Sequence, residues 1–303
     1  MNAVAAALAP VFGLIALGVV LKHYAFREAG FWEPVERLTY FVLFPPLLVT
    51  SIAEARIDGV ETVQLIAACL AMMSLVAAGL FVLRRHLGMD GPAFTSVVQG
   101  SLRFNTYVAL AVAAGLHGKP GLALLAIVLA FAVPLGNAIS VLALARFGMR
   151  GGGSASVASE VAKNPLILAS LAGLALSLAD IAIPATLSQM ADILGRGSLA
   201  LGLLTVGAGL SLRSVGAHAR GLFVASLPKL VLSPLLVWAI GRWIGLDPVA
   251  LSVAVVFAAQ PAATSSYILA RRLGGDAALM ASIVSGQVVI AAVTLPLALA
   301  LLG

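Results

Sequence analysis

Apolar runs of about 20 residues follow one another along nearly the whole chain. A helix needs about 20 apolar residues to cross the hydrocarbon core of a bilayer. In lipid, every backbone polar group must be satisfied inside a helix or a closed barrel. Barrel strands would alternate apolar and polar residues, and these runs do not. The sequence therefore predicts an all-α membrane protein. Composition agrees, with 61% of the 303 residues hydrophobic and 10% charged, against about 45–50% and about 25% in soluble domains. Too little polar surface is available to cover a water-soluble fold.

Ten spanning segments are expected, at 3–22, 33–53, 60–83, 92–115, 121–146, 164–181, 186–212, 219–241, 248–271 and 276–302. The opening "MNAVAAALAPVFGLIALGVVLKHY" has no positive region before its apolar run, so it reads as a span rather than a cleaved signal. The least apolar stretch, "RFGMRGGGSASVASEVAKN" (146–164), has the Gly/Ser content of a flexible linker. The expected organisation is a first five-helix unit at 1–146, a linker at 147–163 and a second five-helix unit at 164–303. Of the 18 basic residues, twelve fall in loops after odd-numbered segments and four in loops on the other side. The positive-inside rule then places the linker in the cytoplasm and both termini outside.

Several function classes drop out. The net charge of +6 is scattered over short loops, without the basic stripe of a nucleic-acid binder. The single cysteine, Cys69, leaves no intrachain disulfide. His23, His86, His117 and His218 fall near predicted helix ends without metal-ligand spacing, so no metal or cofactor is expected. There is no nucleophile–base pair, HExxH or phosphate-binding glycine loop, and an enzyme is not expected.

The chain carries an internal echo. "RHLGMDGPA" (85–93) and "RWIGLDPVA" (242–250) share Arg, Gly and Asp at an offset of 157 and then Pro, with Gly91 inserted in the first copy, and Pro10 and Gly18 match Pro165 and Gly173 at an offset of 155. A repeat of five helices, an odd number, must be inverted in the membrane. Inverted repeats are a common architecture of secondary transporters. At the same offset, two polar clusters correspond at bilayer depth. Segment 4 holds Gln99, Ser101, Arg103, Asn105, Thr106 and Tyr107, and segment 9 holds Gln260, Pro261, Thr264, Ser265, Ser266 and Tyr267. Pro261 removes a backbone donor and clashes with the preceding turn. Non-helical backbone is tolerated at that depth only where protein or a cavity surrounds it. The expectation is two broken helices, 4 and 9, crossing near the bilayer centre, with half-helix N-termini able to receive an anion.

Charge supports an anionic ligand. Arg103 and Lys229 fall inside predicted spans, whereas none of the twelve acids lies deep in one. A basic residue at a span centre costs about 2.5–3.5 kcal/mol on insertion scales. Substrate contact is assigned to Arg103, Asn105, Thr106, Tyr107, Gln260, Pro261, Thr264, Ser265 and Ser266, with Asn137, Lys229 and Gln287 in support. Prolines and glycines in "FPPLL" (44–48) and "TVGAG" (205–209) permit bends and close approach. Asp192 and Arg196 stand at i, i+4 and read as a structural pair.

The stretches "RFNTYVALAVAAG" (103–115), "PLGNAISVLAL" (134–144), "QPAATSSYILARRLGGDAAL" (260–279) and "TLPLALALL" (294–302) resemble the auxin efflux carrier family. That family holds bacterial carboxylate carriers and the plant PIN-type auxin exporters, and the resemblance covers nearly the whole chain. It implies ten helices in two inverted halves, with helices 1, 2, 6 and 7 as a scaffold and helices 3–5 and 8–10 as an elevator-like transport unit. It also implies a bacterial inner-membrane location and a possible homodimer through helices 2 and 7. Asn105 matches the asparagine of the first crossover and Pro261 the proline of the second. Plant members pair proline with asparagine in each crossover; here Phe104 precedes Asn105 and Ala262 follows Pro261. Their long hydrophilic loop is also absent. The expected partners are the lipid bilayer and a small carboxylate, such as a dicarboxylate, rather than auxin. The competing expectation is a sodium- or proton-coupled symporter or antiporter on the same fold, which needs a carboxylate or carbonyl cage at the crossover.

Overall fold

The computed structural model describes residues 2–28, 30–54, 59–149, 164–211, 215–216 and 218–302. The linker expected at 147–163 lies mostly outside the described residues, and Phe147 still ends a helix. Among the described residues the regular structure is helical and contains no strand. Seven segments are long and apolar enough to cross a membrane, and Pro165–Leu178 and Pro248–Ala258 are shorter apolar helices.

The first span is α1 (Asn2–Tyr24). The second joins α2 (Trp32–Leu38) to α3 (Phe44–Ala53) through a π-helical turn at Thr39–Leu43. Its cause is local. Pro45 offers no N–H, and its ring presses on the carbonyl one turn back. The helix widens, and Phe44 N–H reaches the Thr39 carbonyl, five residues back. The same device recurs between α9 (Ala219–Leu227) and α10 (Ser233–Ile244). There Ser233 N–H bonds to the Pro228 carbonyl just before Pro234.

Between these lie α4 (Gly59–Leu83), α5 (Gly91–Leu102) and α6 (Thr106–Phe147). Helix α6 bends at Gly118, whose φ of 61° and ψ of −148° suit only glycine. Then come α7 (Pro165–Leu178) and α8 (Ala185–Gly209). After α10, the chain continues in α11 (Pro248–Ala258), α12 (Ser265–Leu273) and α13 (Ala277–Leu302).

Asp90 caps α5 by accepting from Ala93 N–H at 2.8 Å, and Asp247 caps α11 by accepting from Val249 N–H at 2.8 Å. These are the two aspartates of the sequence echo, and each begins a helix that later breaks. Helix α1 packs along α8, and α3 along α7. A Cβ on Gly18 would collide with the backbone of Leu204, and one on Gly173 with the backbone of Val49. Small residues thus let both pairs approach closely. Helix α5 is buried from Phe94 to Leu102 and α11 from Ala250 to Ala258. In contrast, α1, α7 and α8 expose large apolar side chains such as Leu17, Leu168 and Ile193, as a lipid-facing layer requires.

Candidate functional site

Helix α5 ends because Arg103 turns to an extended conformation (φ −75°, ψ 149°). Asn105 is also extended (φ −82°, ψ 104°), and its side-chain oxygen accepts from the N–H groups of Tyr107 at 3.1 Å and Val108 at 3.2 Å. It is the N-cap of α6. Helix α11 ends at Ala258, because the residue before a proline is pushed out of the helical region and Pro261 follows closely. Residues 259–264 carry the chain without helix to Ser265.

The two interruptions touch. Asn105 N–H donates to the Pro261 carbonyl at 2.8 Å. Arg103 Nη2 donates to Ser265 Oγ at 3.0 Å. A third connection runs through α13, where Gln287 Oε1 accepts from Ala262 N–H at 2.8 Å and its Nε2 donates to the Gly100 carbonyl at 3.0 Å. One buried carboxamide therefore braces the end of α5 against the second interruption.

A cavity of about 530 Å³ opens beside this junction. Of the residues picked from sequence, Arg103, Asn105, Thr106, Tyr107, Thr264, Ser265 and Asn137 line it. Gln260, Pro261, Ser266, Lys229 and Gln287 are buried and do not line it. Gln260 folds back, its Nε2 donating to the Val256 carbonyl at 2.8 Å. Lys229 sits in the second π-helical turn with its Nζ 5.7 Å from the ring centroid of Phe104. Phe104 itself lines the cavity and packs on Phe257 with centroids 4.7 Å apart. Lys229 thus meets the far side of the wall rather than the space within. Tyr107 lies against Phe44, with centroids 5.1 Å apart.

The cavity also holds groups that the sequence did not announce. Glu33, Glu36, Arg37 and Tyr40 line it from the start of the second span, together with Asn164 and Arg272. The expectation of a positive cavity without carboxylates is corrected: Glu33 and Glu36 share the wall with Arg37, Arg103 and Arg272. In sequence the two glutamates stand in the first turns of a span and look like membrane-surface residues. The fold brings that end of the helix against the interruptions. Their i, i+3, i+4 and i+7 spacing (Glu33, Glu36, Arg37, Tyr40) puts them on one helix face, and this was the signal available. The expected Asp192–Arg196 pair is replaced by one across the fold, with Asp192 Oδ2 3.4 Å from Lys119 Nζ. No group of three or more metal-ligating side chains is found among the described residues.

Two comparisons bear on what such a cavity serves. The family described as "Membrane transport protein" matches residues 154–299. A protein of Rhizobium meliloti (strain 1021) named "Putative malonate transporter" is 24% identical over 285 residues, covering 88% of this chain and 85% of that protein.

Proposed function

We propose that the chain is a membrane transport protein of the auxin efflux carrier type, not an enzyme, and that it is a secondary carrier of small organic anions, carboxylates above all. The observation that carries this is the cavity where two interrupted helices meet, lined by Arg103 and Arg272, the amides Asn105 and Asn137, and the hydroxyls Thr106, Thr264 and Ser265. Arginine holds a carboxylate through two parallel N–H bonds. Amides and hydroxyls supply donors without adding charge. The name of the Rhizobium relative makes malonate the first substrate to try.

The mechanism proposed is an elevator. Its support is the pairing of helices. If 1–146 and 164–303 are inverted copies joined by 147–163, exchanging them carries α1 onto α7 and the Trp32–Ala53 span onto α8. The contact of α1 with α8 then becomes that of α7 with α3, with Gly18 and Gly173 in equivalent roles. Ten crossings follow when the bend in α6, the short α7 and the α11–α12 pair are each counted. Spans 1, 2, 6 and 7 form the scaffold in this reading, and spans 2 and 7 are the proposed homodimer contact. The linker lies in the cytoplasm and both termini lie outside a bacterial inner membrane.

The test is uptake of radiolabelled malonate by reconstituted protein. Saturable uptake is expected, and Arg103→Ala should lower its initial rate by about 10–100-fold, matching the loss of a charged hydrogen bond of about 1.5–3 kcal/mol. Absence of saturable uptake for malonate and other mono- and dicarboxylates, or an unchanged rate in Arg103→Ala, overturns the reading.

A second reading, coupling to sodium or protons, is favoured by Glu33 and Glu36 on the cavity wall. Imposed sodium and proton gradients separate the two readings. Accumulation driven by either gradient supports coupling, whereas equilibration alone supports uniport.

A further inference from the structure

The cavity and a charged cluster occupy opposite ends of one helix. Glu33, Glu36 and Arg37 line the cavity from the start of the Trp32–Ala53 span, and Glu54 follows its end. That span of 22 residues is about 33 Å long at 1.5 Å per residue, the thickness of a bilayer core. None of the cavity-lining residues lies at the Glu54 end.

At that end three elements are tied together. Lys119 Nζ is 3.1 Å from Glu54 Oε2 and 3.4 Å from Asp192 Oδ2. The other Glu54 oxygen accepts from Ser188 Oγ at 2.6 Å. Lys119 follows the Gly118 bend of α6, the helix whose opposite end carries Asn105 and Thr106 into the cavity. Glu54 adjoins α3, and Ser188 and Asp192 belong to α8, which packs on α3. A helix that lines the cavity is thereby fastened to two others that pack together. The pairs are exposed, and contacts of this kind bias an equilibrium by only a few-fold. That suits a reversible fastening better than a permanent one.

We propose that Lys119, with Glu54, Ser188 and Asp192, is the latch that holds shut the membrane face opposite the cavity mouth. It parts whenever the cavity opens there. The proposal rests on the alternating-access reading but not on the identity of the substrate.

The test is accessibility. In full-length protein carrying Cys69→Ala and a reporter Thr106→Cys, a membrane-impermeant maleimide is applied separately to each side of sealed vesicles. With the latch intact, labelling is expected from the mouth side. Lys119→Gln should raise labelling from the Glu54 side several-fold, and Lys119→Arg should not. Should Lys119→Gln fail to fold, Glu54→Gln with Asp192→Asn removes both acceptors and is expected to act alike. Unchanged labelling from the Glu54 side in the folded neutralised variant, or an equal rise in Lys119→Arg, overturns the latch. The readout needs no transported molecule, so failure to carry malonate would remove the substrate reading and leave the latch result standing.

Discussion

The two helix interruptions do one job with different chemistry. The first, at 103–105, is organised by its own side chain: Asn105 caps α6, and Arg103, Asn105 and Thr106 line the cavity. The second, at 259–264, is organised from outside. Pro261 stops the helix, its carbonyl accepts from Asn105, and Gln287 of α13 holds Ala262 N–H. Only its far end, Ala263 and Thr264, lines the cavity, followed by Ser265 at the start of α12. A self-capped break can present its polar groups to a ligand. A braced break has most of its polar groups committed to protein.

The sharpest way to break this contrast is Gln287→Leu. It strands a buried N–H of the second interruption and a buried carbonyl at the end of α5. Each stranded group costs about 1–3 kcal/mol. The expected outcome is the largest fall in thermal stability in this set, measured in detergent, together with loss of transport. A variant as stable as wild type would mean that the second interruption holds itself.

Asn105→Ala comes next. Losing an N-cap costs about 0.5–2 kcal/mol, so a smaller fall in melting temperature is expected alongside loss of uptake. Asn105→Asp sharpens the point, because aspartate also caps helices while adding negative charge to the proposed anion site. Near-wild-type stability with weakened malonate binding would separate the two roles of this residue. Equal losses of both would show that capping alone matters.

Ser265→Ala tests the contact between the interruptions at the exposed edge. It removes the acceptor of Arg103 Nη2. The expected change is a few-fold weaker apparent affinity with unchanged stability, read from malonate concentration dependence.

The smallest effect concerns pH at the far end. The Ser188 hydroxyl, and after it Lys119, holds the Glu54 carboxyl below its usual range against partial burial. A lowered native value adds stability above the unfolded value of about 4.3, and that stability is lost as pH falls through the native value. Wild type should therefore lose slightly more melting temperature than Glu54→Gln when titrated from neutrality to below about pH 4. Parallel curves would show that the Ser188 and Lys119 contacts add nothing.

Much of this was legible in the chain. Continuous apolar runs specify spanning helices, because lipid offers backbone groups no partner other than the helix itself. Pro261 announces an interruption through its missing N–H, whereas the capping of α6 by Asn105 appeared only in the structure. Seven of the twelve residues chosen from sequence line the cavity. Those that do not illustrate the limit of local reading. Ser266 stands one residue past the cavity-lining Ser265 in α12, where a single step turns a side chain by about 100°, and Gln260, outside any helix, folds back onto the Val256 carbonyl. Lys229 is buried within the Ala219–Ile244 span, but its place in a span does not say which side of Phe104 an ammonium occupies.

Sequence by itself determined the solvent this protein lives in, the approximate course of its apolar helices with the interruption at Pro261, and the residue types proposed to meet an anion. These follow from local physics: backbone hydrogen bonding in hydrocarbon and proline geometry. Only the tertiary structure decided that Asn105 N–H meets the Pro261 carbonyl, that Gln287 spans both interruptions, and that Glu33 and Glu36 enter the same cavity as Arg103. Those are contacts between residues far apart in the chain, set by which helix packs against which, and no local pattern encodes that choice.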